Sequence, residues 1–119
     1  IGNVSNILDY YKATDYFISA SLHEGMPNAV LESMSVGIPV ILSNIPAHNE
    51  IFEICKTNIG VSFINNDSNS LINCINQIRN LDYKYLSINC KESIGMHFNA
   101  ESMAQKYSNL YKRIVTNQD

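Results

Sequence analysis

Apolar and polar positions alternate along this chain in two rhythms. Short β-like runs at Asp15 to Ala20, Val40 to Ser43 and Gly60 to Ile64 are separated by stretches whose apolar residues recur at helical spacing. That order is the one expected of a parallel sheet with helices packed on it. Ile1 to Val4 reads as the end of a further strand, and Ser5 is placed to cap a helix through about Lys12, with Ile7, Leu8 and Tyr11 on one face. The pattern predicts a helix from Asn28 to Val36 stopped by Gly37, and another from about Ala47 to Cys55 after a loop opened by Pro46. Asp67 or Ser68 caps a helix carrying Leu71, Ile72, Ile75, Ile78 and Leu81 on its apolar face. Asp82 to Phe98 reads as helix, and Asn99 caps a last one striped by Met103, Tyr107, Leu110 and Ile114.

The segment Glu24-Gly-Met-Pro-Asn-Ala-Val-Leu-Glu32 joins the first of these strands to its helix and sets two carboxylates around the helix start. Pro27, with φ fixed near the helical value and no N–H, suits the first helical position, which leaves Glu24 in the loop and Glu32 about one turn inside. At 100° per residue Glu32 points roughly 160–200° away from Val30 and Met34, off the side that packs on a sheet. The amides of Asn28 and Ala29 have no carbonyl partner within the helix, and the helix dipole adds positive potential there, so this end suits a phosphate. A carboxylate accepts hydrogen bonds from two adjacent hydroxyls, so the combination fits a sugar phosphate or nucleotide sugar. Ligands of open α/β sheets bind beyond the carboxyl ends of the strands, which places Ser21 to Pro27 and the Ile45-Pro46-Ala47-His48 turn on one rim.

The pattern Ser21-x-x-Glu24-Gly25-Met26-Pro27-Asn28-x-x-Leu31-Glu32-x-Met34-x-x-Gly37-x-Pro39-Val40, followed by Ser43-x-Ile45-Pro46 and Glu50, resembles the carboxyl-terminal domain of retaining family 4 glycosyltransferases. The two acids match that family's E-x7-E motif, and a weaker likeness runs from Gly2 to about Tyr111. The resemblance implies an α/β, Rossmann-like parallel sheet with helices on both faces, with residues 1–119 forming a donor-binding part of the carboxyl-terminal domain of a GT-B enzyme. It implies transfer of a sugar from a UDP, GDP or ADP donor to an acceptor hydroxyl with retention, in polysaccharide or glycoconjugate synthesis, with no cofactor and no bound metal. Residue by residue, Glu32 corresponds to the acid that holds the ribose hydroxyls, Glu24 to the catalytic acid near the donor sugar, and Gly25, Met26, Pro27, Asn28 and Ala29 to the contacts with sugar and diphosphate. In the family an amino-terminal domain brings the sugar or glycolipid acceptor, and an upstream basic pair neutralises the diphosphate. Lys12 and Lys56, the basic residues nearest the motif in sequence, do not match that pair, and residue 1 is not Met, so the expectation is a carboxyl-terminal part that does not turn over alone. Membrane contact is expected only of the whole enzyme. A non-catalytic nucleotide-sugar or partner-binding module of the same fold is the alternative, and a flavodoxin-like regulator a third; the paired acids favour the enzyme.

Composition narrows the field further. The 119 residues suit one domain, 45% are apolar and 16% charged, and the net charge of −3 with scattered Lys and Arg argues against a nucleic-acid partner. Cys55, Cys74 and Cys90 are odd in number without C-x-x-C spacing, which predicts free thiols in a reducing compartment, with Cys74 a core residue. No apolar run reaches membrane-spanning length and no signal peptide opens the chain, so cytoplasmic residence, peripheral to the membrane in the complete enzyme, is the expectation. His23-Glu24 starts like a zinc-protease helix, but Pro27 stands where the second His would be. His23 and His48 remain candidate ligand contacts, as do Ser21 and Ser43, while His97 reads as structural and Glu50 as an acid supporting the first turn of its helix.

Overall fold

The computed structural model describes residues 13–25 and 27–98. Within them three parallel strands, β1 (Phe17–Ser19), β2 (Val40–Ser43) and β3 (Gly60–Phe63), form one sheet in that order. Phe17 pairs with Val40 and Ser19 with Leu42; Val40 pairs with Gly60 and Ser43 with Phe63. Helices α1 (Asn28–Ser35), α2 (Pro46–Cys55), α3 (Ser68–Arg79) and α4 (Tyr83–His97) alternate with and follow the strands. The strand ending Ile1 to Val4, the helix after Ser5 and the helix of Met103, Tyr107, Leu110 and Ile114 lie outside the described residues.

Side chains alternate along a strand, so the central one serves two cores. Val40 and Leu42 of β2 join Val30 and Met34 of α1, Ile51 and Cys55 of α2, and Cys90 of α4, whereas Ile41 joins Val61, Phe63, Cys74 and Ile78 of α3, and Leu86 of α4. Helices therefore cover both faces, as the sequence predicts. Strand β1 is shorter than the Asp15 to Ala20 run because its partner begins only at Val40; Phe17 N–H already donates to Pro39 O, ahead of the ladder.

Helix α1 ends as Gly37 predicts. Gly37 has φ 84°, its N–H donates to Met34 O at 2.9 Å, and Ile38 N–H donates to Ser33 O at 3.1 Å, a Schellman termination. The caps are the expected ones at α3 and α4: Asp67 Oδ1 accepts from Ser70 N–H at 3.0 Å and Asp82 Oδ1 from Tyr85 N–H at 3.3 Å. Cys74 packs in the core as expected, its thiol donating to Ser62 O at 3.1 Å, and all three cysteines are free and buried.

Three expectations are corrected. Pro27 is the cap of α1 and not its first residue: its ψ of 67° is outside the helical range, while its carbonyl already accepts Leu31 N–H at 3.2 Å. Ile72 is 55% exposed, because α3 buries the side carrying Cys74 and Ile78. Glu50 lies beyond the first turn of α2, since Pro46 itself opens that helix, and its side chain is exposed.

Helix α4 closes one end of the sheet. Asn89 Nδ2 donates to Asn58 O at 2.9 Å and Cys90 Sγ contacts Ile59 O at 3.5 Å, just before β3, while Ser87 and Lys91 crowd Gly37, just before β2. Those are the amino ends of the strands. The loops at the carboxyl ends form the opposite rim.

Candidate functional site

The rim consists of the segments after β1, β2 and β3, and polar bonds stitch them together. Ser43 Oγ donates to Ser21 O at 2.7 Å, Asn44 N–H to Phe63 O at 2.9 Å, and Asn65 N–H to Asn44 Oδ1 at 3.0 Å. The β1–α1 loop is thereby tied to the end of β2, and the β3–α3 loop is tied to the β2–α2 loop.

On this support Glu24 stands half-buried, with Ser21 Oγ donating to its Oε1 at 2.8 Å. Beyond it the first turn of α1 opens to solvent: Asn28 and Ala29 are exposed, and among the described residues no side chain caps the helix and the first intrahelical bond runs from Leu31 N–H to Pro27 O. The amides of Asn28, Ala29 and Val30 thus precede the ladder, at the positive end of the dipole. Val30 and Met34 are buried and Glu32 is exposed, the orientation that helical periodicity predicts. Gly25 is exposed, and a Cβ built on it would meet no atom within 4 Å, so its place in the loop is one that a ligand can approach closely. Met26 lies outside the described residues. Among the described residues no three His, Cys, Asp or Glu side chains gather as a metal site, and no helix is long and apolar enough to cross a membrane.

A family model described as "Glycosyl transferases group 1" matches residues 1–80, which include both acids and the rim loops after β1, β2 and β3. The chain belongs to the group 1 glycosyltransferases. It is 38% identical over 118 residues to the UDP-Gal:alpha-D-GlcNAc-diphosphoundecaprenol alpha-1,3-galactosyltransferase of Escherichia coli, covering 97% of this chain and 29% of that protein. With the O-antigen biosynthesis glycosyltransferase WclY of Escherichia coli it shares 35% identity over 101 residues, 84% of this chain and 27% of the other. Among solved structures, sucrose-phosphate synthase from Thermosynechococcus elongatus superposes with a TM-score of 0.75 at 25% identity, over 98% of this chain and 30% of that one. A glycosyltransferase from Rickettsia africae ESF-5 gives the same TM-score and identity over 99% and 32%. The chain therefore spans less than a third of each of these glycosyltransferases and their structural relatives.

Within this glycosyltransferase segment the candidate residues fall into two groups. Gly25, Asn28, Ala29, Glu32 and His23 are exposed, with Pro27 buried beneath them as the cap. Ser43 and His48, expected on the open rim, are instead fully enclosed. His48 is the third residue of α2, and its ring is drawn under the rim because Nδ1 lies 2.9 Å from Ser43 O and Nε2 3.4 Å from Ser19 Oγ. Ser19 was not among the sequence candidates. Its hydroxyl follows the strand alternation of β1 but carries no motif of its own. His97, in the last turn of α4, lies on the helix that closes the amino ends of the strands.

Proposed function

We propose that this segment binds the nucleotide-sugar donor of a retaining glycosyltransferase that builds polysaccharide or glycoconjugate. The observation that carries the reading is the uncapped, solvent-facing first turn of α1 with Glu24 before it and Glu32 beyond it. In this reading Glu32 accepts hydrogen bonds from the two ribose hydroxyls, and the amides of Asn28, Ala29 and Val30 face the diphosphate. Glu24, braced by Ser21, stands at the donor sugar. As the bond from the anomeric carbon to the diphosphate breaks, negative charge gathers on the leaving group, and the helix end is already oriented toward it. The UDP-Gal donor and diphosphate-linked acceptor named for the Escherichia coli galactosyltransferase fit this assignment.

Magnitudes limit what the segment supplies. A helix terminus contributes at most ~2 kcal/mol and a hydrogen bond to a charged group ~1.5–3 kcal/mol, against at least ~8 kcal/mol for enzymic acceleration. Positive charge on the diphosphate and the acceptor site are assigned to sequence beyond this segment, consistent with its small share of the relatives' length.

Calorimetry with UDP, GDP and ADP sugars on two variants tests the reading. Glu32→Gln should weaken or abolish binding of the preferred donor while leaving the melting temperature unchanged. Val30→Ala, in the core, should cost about 1–3 kcal/mol of stability with donor affinity retained in the folded fraction. Equal loss of stability in both, with binding unaffected by Glu32→Gln, would contradict the assignment.

A further inference from the structure

The enclosed residues under the rim form a closed polar circuit that ends on Glu24. His48 and Ser43 are both 0% exposed. Nδ1 of His48 lies 2.9 Å from the carbonyl oxygen of Ser43; because a carbonyl only accepts, Nδ1 carries the proton. The same carbonyl accepts Ile45 N–H at 2.9 Å, so both its lone pairs are used and the turn between β2 and α2 is fixed. The Ser43 hydroxyl, 2.7 Å from Ser21 O, donates to it across to the neighbouring loop. Ser21 Oγ then donates to Glu24 Oε1 at 2.8 Å. A second arm is longer: Ser19 Oγ lies 3.4 Å from His48 Nε2 and 3.4 Å from Ser21 Oγ, with one proton to share between them.

We propose that His48 and Ser43 are positioning residues that set the Glu24 carboxylate, a claim that builds on the reading of Glu24 as the acid at the donor sugar. Ser21, in the same loop as Glu24, holds the acid by a short bond, and Ser43 anchors that part of the loop to the end of β2. A polar cluster bonded around a buried centre fixes one geometry more sharply than apolar packing does, and it costs most when a buried member is removed. Of the two arms, the one through Ser43 governs, because it holds bonds of 2.7 to 2.9 Å beside a longer one of 3.3 Å between Ser43 Oγ and His48 Nδ1, whereas those through Ser19 are 3.4 Å.

The test uses three variants of this chain, followed by NMR without ligand and then with UDP-galactose. In the unmodified chain the His48 ring should show a protonated Nδ1. Ser43→Ala and His48→Leu should displace the Glu24 side-chain carboxyl and Ser21 amide resonances, with the Leu42 and Ile51 methyl signals of the core in place. His48→Asn carries an amide N–H where Nδ1 stood and should restore the Glu24 signal. UDP-galactose should then bind roughly two- to tenfold more weakly to Ser43→Ala, the range set by one lost hydrogen bond. A Glu24 signal unmoved by Ser43→Ala, or moved equally by His48→Asn and His48→Leu, would overturn the proposal. If His48→Leu does not fold, Ser43→Ala with His48→Asn decides. Displacement of Glu24 as expected in a chain that binds no UDP-galactose supports the positioning pair and counts only against UDP-galactose as the donor.

Discussion

Gly25 leaves room that nothing in the described fold fills, and its backbone lies outside the left-handed region, so a side chain there is tolerated by the protein itself. Gly25→Val should leave thermal stability within about 0.5 kcal/mol, the usual range for an exposed substitution, yet weaken donor binding several-fold by occupying the approach to the helix amides; a thermal melt beside calorimetry reads both. Cys90 tests the interior instead. Burial, and then the charge of neighbouring Cys55, push its thiol from 9.0 up to about 12. The folded state therefore keeps a proton that the unfolded chain gives up: stability is level below pH 9 and falls as pH rises from there toward 12. Urea midpoints measured across that range should fall less steeply in Cys90→Ala than in the unaltered chain. At this scale the sequence marked candidate residues but not their depth. Glu24 and Glu32 were legible because their spacing sits on a helix start. His48 was not, because a His on a rim loop reads the same whether it faces solvent or bonds inward to Ser43 O.

The elements depend on a few backbone positions. Gly60 pairs with Val40 so closely that a Cβ would collide with the Val40 carbonyl, backbone against backbone with no flexible end to yield. Gly60→Ala should therefore separate β2 from β3 and cost more than the 1–2 kcal/mol of an ordinary left-handed penalty, measured by chemical denaturation. Lys56 ends α2 at φ 58° without being glycine, and replacing it by Gly should recover up to about 1 kcal/mol in the same assay. Strand β2 and the capping acids Asp67 and Asp82 were readable because an apolar run and a capping side chain are local signals. Pro27 was displaced by one position because its ψ answers to the loop, and Ile72 faced outward because only the packing of α3 shows which of two adjacent isoleucine-bearing faces meets the sheet.

Across the whole molecule the two ends of the sheet divide the work. Helix α4 closes the amino ends through Asn89 and Cys90, and the rim at the carboxyl ends carries Glu24, Gly25 and the open turn of α1. The α/β order was legible from alternating rhythms along the chain. The passage of α4 from one core to the other was not, because its buried Asn89 and Ser93 break the apolar stripe that would have announced it. The chain is a group 1 glycosyltransferase segment, and a single titration tests whether the rim is its ligand site. The chain would be titrated with UDP, GDP and ADP and their common sugar conjugates while backbone amide signals are followed, beside Glu32→Gln. The account predicts shifts confined to Ser21 to Glu32 and the Ser43 to His48 turn, for one nucleotide class, and lost in the variant. Shifts centred on α3 or α4, or the same response in Glu32→Gln, would contradict it.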